Sequence, residues 1–439
     1  MTGYLDSAGK AGRVPFVSGR GIAAALNRRP LAILLLIIAF TRAGFLYDHL
    51  RTNFDPQDFS VYYASGLLLR EGFNPYRNDL IAVAHRVGLE AGHISQATDP
   101  PTFLLAVEPL SLLSAHKAYW TWEAINAAAF AAALLILLWP RWTGLSGSAA
   151  LALAGFAILF PPVGNNFAIA QSKALVLLPL AAMIRCLERK RYALSGLMLA
   201  VAGLLRVFPF LLCVYFLIQR RWRMLGYTIA WTLVGGLLTL ALVGVDTSFG
   251  FLSAVNFLTM QQWLANTANI AISGFVSRVF WTLFGSAPGF WMDLARQGSV
   301  VGADLVLIYF VVRATVGGSR EDRDWRLLSL WIVASVMLSP TAWFHYMILF
   351  LIPFTLMASS AAKGRIYMRA VWMAIASYLM TGLVGVALTA IPQDPKLMDA
   401  VRELEFVCLL MVFIATYWFA TDSPEQSQTP KTDAAAVAG

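Results

Sequence analysis

Charge is scarce in this sequence. Only 13% of its 439 residues are Asp, Glu, Lys or Arg, against 59% hydrophobic, and the mean hydropathy is +0.66. A water-soluble chain of this length needs far more charge to cover itself, which excludes a soluble enzyme and leaves a polytopic membrane protein. Cysteine is as sparse: Cys186, Cys213 and Cys408 all fall in or beside apolar runs, so neither a disulfide framework nor a thiolate metal cluster is expected. The five histidines show no metal spacing such as HExxH. The charge that is present has a sign. The balance is +9 and the basic residues gather in short segments between apolar runs, which is a topological signal and not a nucleic-acid footprint. Residues 1–29 are polar and basic with no cleavage site before the first apolar run, so residues 31–47 read as a retained first span.

Lys and Arg in the short loops set the expected orientation. Arg13, Arg20, Arg28 and Arg29 hold the N-terminus in the cytoplasm. Full spans are expected at 31–47, 117–139, 149–163, 171–187, 224–243, 299–313, 326–339, 343–360, 370–391 and 403–420, roughly ten in all by length and charge. The basic run Arg185 to Arg191 marks a cytoplasmic loop. Counting back from it places 164–171 and the whole of 48–116 outside. The apolar run 103–113 is then too short to cross and reads as re-entrant or interfacial, started by Pro100-Pro101. The resulting organisation is a cytoplasmic segment 1–29, one transmembrane domain 30–420 with external loops 48–116 and 244–298, and a disordered cytoplasmic tail 421–439 rich in Ser, Gln, Pro and Ala.

Residues 193–218 have cytoplasmic signals on both sides, Arg189-Lys190-Arg191 before and Arg220-Arg221 after. That length cannot cross twice at ~1.5 Å per residue. A re-entrant hairpin of two half-depth helices satisfies both flanks, with its break at Arg206-Val207-Phe208-Pro209, where proline removes a backbone donor and restrains its neighbour. Arg206 is thereby pushed into the membrane interior, at a cost of ~2.5–3.5 kcal/mol unless protein, water or an anion receives it.

This topology gathers the unusual polar residues on one external face. Asp55, Asp58, Asp99 and Glu108 come from the first external region. Asn165, Asn166, Gln171 and Lys173 come from the next turn, Asn266, Asn269 and Arg278 from the second external region, and His345 from the turn 339–346, with Arg42 in the outer half of the first span. Carboxylate, imidazole and cations around one cleft suit general-base transfer from a charged, lipid-anchored donor. Asp58 and His345 are the candidate catalytic residues; Arg206, Gln171, Lys173, Arg278, Tyr62 and Asn269 are the candidate substrate-binding residues. Each has a plainer reading. Asp58 could be the N-cap of the helix that follows it, Asp55 the acid of an Asp-Pro turn, His345 part of an interfacial aromatic belt, and Arg206 the partner of a structural carboxylate or a snorkelling side chain. Lys173, Arg278 and Arg42 are alternative phosphate partners. A secondary transporter or lipid flippase is the rival from another class; transporters tend to show paired repeats and two broken helices, and only one candidate break is evident here.

Several short motifs carry a resemblance. They are Asp58-Phe59-x-x-Tyr62-Tyr63 with Gly72-Phe73-Asn74-Pro75-Tyr76, Pro100-Pro101 with Trp122, Gly164 to Gln171, Gly196 to Arg206-x-x-Pro209, and Ser339-Pro340-x-x-Trp343-x-His345-Tyr346. In this order they resemble the polyprenol-phosphate-mannose-dependent mannosyltransferases of glycosyltransferase family 87, within the GT-C superfamily, over about residues 30–420. The resemblance implies a GT-C bundle with external interfacial helices, in a bacterial plasma membrane with its site on the extracytoplasmic face. It implies inverting transfer of a sugar, usually mannose, from a polyprenyl phosphate to a glycolipid or glycan acceptor, with no nucleotide and no obligatory metal. Asp58 matches the family's external-loop carboxylate base and His345 its active-site histidine. Two departures stand out: arginine at 206, where the family often carries lysine, and Gly164-Asn165-Asn166 in place of a compact glycine-glutamine turn.

Overall fold

The computed structural model describes residues 27–422 apart from 53, 55, 90–95, 259–260, 286–288, 317–323, 364, 366 and 391–394. Asp55, the N-terminal arginines 13 and 20 and the tail beyond 422 therefore lie outside the described residues. Those described are helical or connecting, with no strand among them. Among the described residues, seven helices are long and apolar enough to cross a membrane: Arg29–Thr52, Ala115–Leu138, Trp222–Asn256, Phe290–Val316, Phe344–Ala362, Met368–Leu388 and Leu397–Thr421. Gly147–Leu159 and Pro161–Ala168, bent by 51° where Pro161 and Pro162 interrupt the apolar run, would make an eighth as one broken span. The remaining two expected spans exist as helices but are shorter, Lys173–Glu188 with 16 residues and Asp324–Met337 with 14. Both are largely buried within the protein, and a helix wrapped by neighbours need not match the bilayer by itself.

Two hydrophobic cores organise these elements. The larger joins the helices from Ala115 onward through residues such as Leu177, Ile184, Leu328, Trp331, Ile348 and Leu409. The smaller belongs to the interval between the first two long apolar helices. There Phe59, Tyr62, Tyr63, Tyr76, Phe103 and Leu104 pack on Tyr119 and Trp122 of the helix Ala115–Leu138. The helix Gln57–Arg70 is buried along its whole middle, from Phe59 to Leu68. It lies so close to the Pro101–Val107 segment that a Cβ on Gly66 would meet Glu108 Cα at 3.1 Å. That contact is the reason for glycine here. The interval is thus a packed platform and not a loose loop.

The two polar intervals assigned to one face do meet. Arg77 pairs with Asp246 at 2.6 Å and Asn74 donates to the same carboxylate at 2.7 Å. Gly244, at φ +79°, breaks the helix Trp222–Leu258 just before this contact, a conformation that glycine adopts at little cost. The segment 266–271 is stitched to the turn at 340–342 by Ile270 N–H to Ala342 O at 2.7 Å.

Residues 192–218 form two short helices, Tyr192–Leu205 and Leu212–Ile218, joined by an extended Arg206 (φ −150°, ψ 129°) and the single 3-10 turn Phe208–Leu211. The turn packs back on the first helix: a Cβ on Gly203 would collide with the Phe210 ring. The start of the first helix lies against the start of the helix Trp222–Leu258: Lys190 to Leu194 line one small surface hollow with Trp222, Arg223, Gly226, Tyr227 and Ala230.

Candidate active site

The helix Gln57–Arg70 starts after Pro56, whose carbonyl accepts the Phe59 N–H at 2.7 Å. Pro56 holds the N-cap position and no side chain caps the helix, so Asp58 stands inside the first turn and is not its cap. Gln57 before it has φ +27°, a backbone that a side-chain-bearing residue adopts only under constraint. Asp58 is aimed at a cavity of about 1830 Å³ and forms part of its wall.

Gln171 reaches the same wall through a different turn. The helix Pro161–Ala168 ends in a Schellman motif: Gln171 N–H bonds Asn166 O at 2.8 Å and Ala170 N–H bonds Phe167 O at 3.2 Å. Glycine is usual at the left-handed position of this motif, but alanine occupies it, with φ +53°. Trp122 Nε1 holds the Ala170 carbonyl at 2.8 Å, which locks the turn from the platform side. Asn166 then starts the next helix by accepting Lys173 N–H on its side-chain oxygen at 3.1 Å.

Two donors converge on Gln171 Oε1, Lys173 Nζ at 2.8 Å and the Tyr62 hydroxyl at 3.1 Å. Both can only be satisfied by a carbonyl oxygen, so the amide nitrogen faces the other way, where it donates to Asp58 Oδ2. Arg206 Nη2 in turn donates to the Tyr62 hydroxyl at 3.0 Å. Burial pushes the Tyr62 phenol up to about 12, so it stays protonated and links the two neighbours, accepting from Arg206 and donating to Gln171. A connected chain results, running Arg206, Tyr62, Gln171, Asp58, with Lys173 joining at Gln171.

Arg206 has two more partners. It forms an ion pair with Asp99, a carboxylate only 2% exposed, and donates to Ser172 Oγ at 2.7 Å. Its guanidinium lies 5.1 Å from the centre of the Phe103 ring. Sequence reasoning weighed a structural carboxylate for Arg206 and placed Asp99 on this face without joining the two. His345 is 3% exposed, lines the cavity, and its Nε2 has no hydrogen-bond partner among the described residues. Lys173 Nζ stands 4.3 Å from the centre of the adjacent Tyr346 ring.

Six of the eight side chains chosen from sequence thus border one cavity: Asp58, Tyr62, Gln171, Lys173, Arg206 and His345. Arg278 and Asn269 do not. Arg278 binds the Glu403 carboxylate and donates to the carbonyls of Asn266 (2.8 Å) and Asn269 (2.9 Å). Asn269 is fully buried; its Oδ1 accepts from Ala271 N–H and Ala342 N–H, at 3.1 and 3.0 Å. These two hold the 266–271 segment against the turn at 340–342. Arg42 borders the cavity, with its guanidinium fixed by the Leu159 carbonyl and by the bare edge of Gly164. Sequence reasoning missed Arg402 and Glu405 on the cavity wall. An acid inside an apolar run such as 403–420 is itself a signal.

One flank of the cavity is apolar, formed by Val207, Phe208, Phe210, Leu211, Val214 and Val255. Val207, Val214 and Val255 on this flank are exposed. Among the described residues no group of three or more His, Cys, Asp or Glu side chains is placed to hold a metal ion.

The fold and the cavity together define a multi-span membrane protein whose polar cavity wall lies beside an apolar flank. The chain matches the model of glycosyltransferase family 87 over residues 98–340, and it belongs to that family: it is a membrane glycosyltransferase. Asp99, Gln171, Lys173 and Arg206 fall within the matched stretch, Asp58 and His345 outside it. The chain is also similar to the polyprenol-phosphate-mannose-dependent alpha-(1-2)-phosphatidylinositol mannoside mannosyltransferase of Mycolicibacterium smegmatis. The two are 25% identical over 332 residues, covering 72% of this chain and 71% of the relative. Neither comparison supports a transporter or flippase.

Proposed function

We propose that this chain transfers a hexose, mannose by similarity to the mycobacterial relative, from a polyprenyl phosphate to an acceptor hydroxyl, with inversion. The observation that carries this reading is the unbroken hydrogen-bonded chain from Arg206 to Asp58 along one cavity wall, with Lys173 attached to it. Asp58 takes the proton of the acceptor hydroxyl as its oxygen bonds the anomeric carbon. The bond from that carbon to the phosphate oxygen breaks on the opposite face, so configuration inverts. Polyprenyl phosphate leaves with an added negative charge, received by Arg206 and Lys173. His345 Nε2 takes a polar group of the donor. The prenyl chain lies along the apolar flank and continues into the bilayer between Val207, Val214 and Val255. Leaving-group stabilisation is assigned to the two cations, and no nucleotide enters the scheme.

The finer topology belongs to the same proposal. Roughly ten spans, counted by length and charge, surround a re-entrant pair at 192–218 that carries Arg206 inward from the cytoplasmic side. Both termini are cytoplasmic, and the cavity faces the extracytoplasmic side of a bacterial plasma membrane. Vesicles given a labelled short-chain polyprenyl-phosphate mannose test the chemistry. Wild-type protein should release polyprenyl phosphate together with a labelled glycoside, and Asp58→Asn at equal abundance should release neither. Wild-type turnover by that variant would remove Asp58 from the mechanism.

A further inference from the structure

The surface hollow at the start of the helix Tyr192–Leu205 takes no part in the transfer scheme. The 14 residues of that helix separate it from Arg206, roughly 20 Å at the α-helical rise. Two copies of one turn build it. After the helix Lys173–Glu188, Arg191 N–H bonds Cys186 O and Lys190 N–H bonds Leu187 O, both at 2.9 Å. After the helix Leu212–Ile218, Arg221 N–H bonds Phe216 O at 2.8 Å and Arg220 N–H bonds Leu217 O at 3.0 Å. Each is a Schellman turn with a basic residue at the left-handed position, Lys190 at φ +56° and Arg220 at φ +53°, where glycine is usual. A new helix begins directly after each turn, at Tyr192 and at Trp222. These two helices pack so closely that a Cβ on Gly196 would meet Tyr227 Cβ at 2.7 Å. Basic segments from separate parts of the sequence are thereby brought to one place.

The hollow measures about 710 Å³ and is lined by Lys190, Arg191 and Arg223 together with the rings of Trp222 and Tyr227. No carboxylate lines it among the described residues. Glu188, just before the first turn, is held by Arg185, and Arg221 is paired with Asp324 outside the hollow. Gly226 forms part of the wall, and a Cβ there would meet nothing within 4 Å. Beyond Ala230 the same helix face, at steps of three and four residues, continues through Leu233, Val234 and Leu237, each more than half exposed. A cationic cup bordered by aromatic rings and leading onto an uncovered apolar face complements a lipid with a negative headgroup.

We propose that this hollow binds an anionic phospholipid of the leaflet that the proposed topology makes cytoplasmic. The phosphodiester sits between Arg191 and Arg223 with Lys190 beside it, and the acyl chains lie along Leu233, Val234 and Leu237. Scattered basic residues would orient the chain equally well; a shared hollow with an apolar run leading from it serves a lipid. The headgroup bridges the first arm of the re-entrant pair to the long helix, and so fastens the segment whose far end carries Arg206.

Native mass spectrometry of the intact protein in detergent, titrated with phosphatidylglycerol or phosphatidylcholine of equal chain length, tests the site. Phosphatidylglycerol should bind saturably and at least about fivefold more tightly. Arg191→Gln combined with Arg223→Gln should weaken it about thirtyfold, the product of about fivefold for each basic residue at an anionic surface. Gly226→Leu removes no charge and raises helix propensity, yet it fills the hollow and should weaken the same lipid by at least about fivefold. Arg369→Gln, at an exposed cation outside the hollow, should leave the affinity unchanged. Phosphatidylglycerol should also raise the unfolding temperature of the wild type and not that of Gly226→Leu. Equal affinity for the two lipids, wild-type affinity in Gly226→Leu, or as large a loss in Arg369→Gln as in the double variant overturns the site. Displacement of the lipid by equimolar inorganic phosphate overturns it as well, in favour of a soluble anion. Should the double variant fail to fold, Gly226→Leu and the preference between the lipids still decide.

Discussion

Arg206 and Arg278 are built alike, yet only one of them borders the cavity. Each guanidinium is held by one carboxylate and two further oxygens: Asp99, Tyr62 and Ser172 for Arg206, and Glu403, Asn266 and Asn269 for Arg278. The difference lies in the kind of oxygen. Arg278 is matched to two backbone carbonyls, which only accept and cannot turn away without moving the chain. Arg206 is matched to two hydroxyls, which both donate and accept and rotate at little cost. An arginine among hydroxyls can exchange a partner for an incoming phosphate. One locked to carbonyls pins a loop. The first arrangement suits a site, the second a scaffold.

Mutations can break or sharpen that contrast. The largest loss of transfer is expected at the far end of the Arg206 chain, where Asp58→Asn removes the proposed base. Transfer should fall by at least ~10²–10⁴-fold, the usual worth of general-base catalysis, as read by labelled product from vesicles. Lys173→Met comes next, because it deletes one of two charges meeting the leaving phosphate. A fall of about 10²–10³-fold in kcat is expected by analogy with lost oxyanion donors; a change confined to acceptor KM would move Lys173 away from the phosphate. Arg206→Lys keeps the charge but loses the planar fork that reaches Tyr62, Ser172 and Asp99 together, so a smaller drop is expected. Transfer at the wild-type rate would show that the fork has no function.

Asp99→Asn offers a finer test. Its carboxylate supplies negative charge beside Arg206, and removing it leaves that cation more attractive to the leaving dianion. Inhibition by added polyprenyl phosphate should strengthen several-fold, up to about tenfold. Weaker inhibition would mean that Asp99 serves to shape Arg206. The smallest effect on transfer is expected at Arg278. Arg278→Gln strands two carbonyls, with ~1–3 kcal/mol of stability at stake, discounted because Glu403 is partly exposed. Thermal unfolding should come earlier while activity per folded molecule holds. A large loss of kcat with unchanged stability would reverse the roles of the two arginines.

The contrast also explains what was legible in the sequence. Asp58, Gln171, Lys173 and His345 sit where an apolar run meets a turn, and in a chain so poor in charge a polar side chain there is conspicuous. Arg206 was marked by the proline three residues later, and the structure breaks its helix at that place. Arg278 and Asn269 look just as conspicuous, because composition records a polar group but not whether the fold satisfies it. Their saturation depends on Glu403 and on the carbonyls at 266 and 269, and no local pattern reveals that. The Arg206–Asp99 pair spans a similar gap in sequence. Span lengths were harder to read, because Lys173–Glu188 and Asp324–Met337 are packed inside the protein, where the bilayer does not set helix length.

A structure of the protein with a short-chain polyprenyl phosphate bound tests the central claim most directly. The phosphate should lie within hydrogen-bond reach of both Arg206 and Lys173, with its prenyl chain along Val207, Phe210 and Val214 and the Arg278–Glu403 pair undisturbed. A phosphate seated on Arg278, or one remote from the wall that carries Asp58, would contradict it.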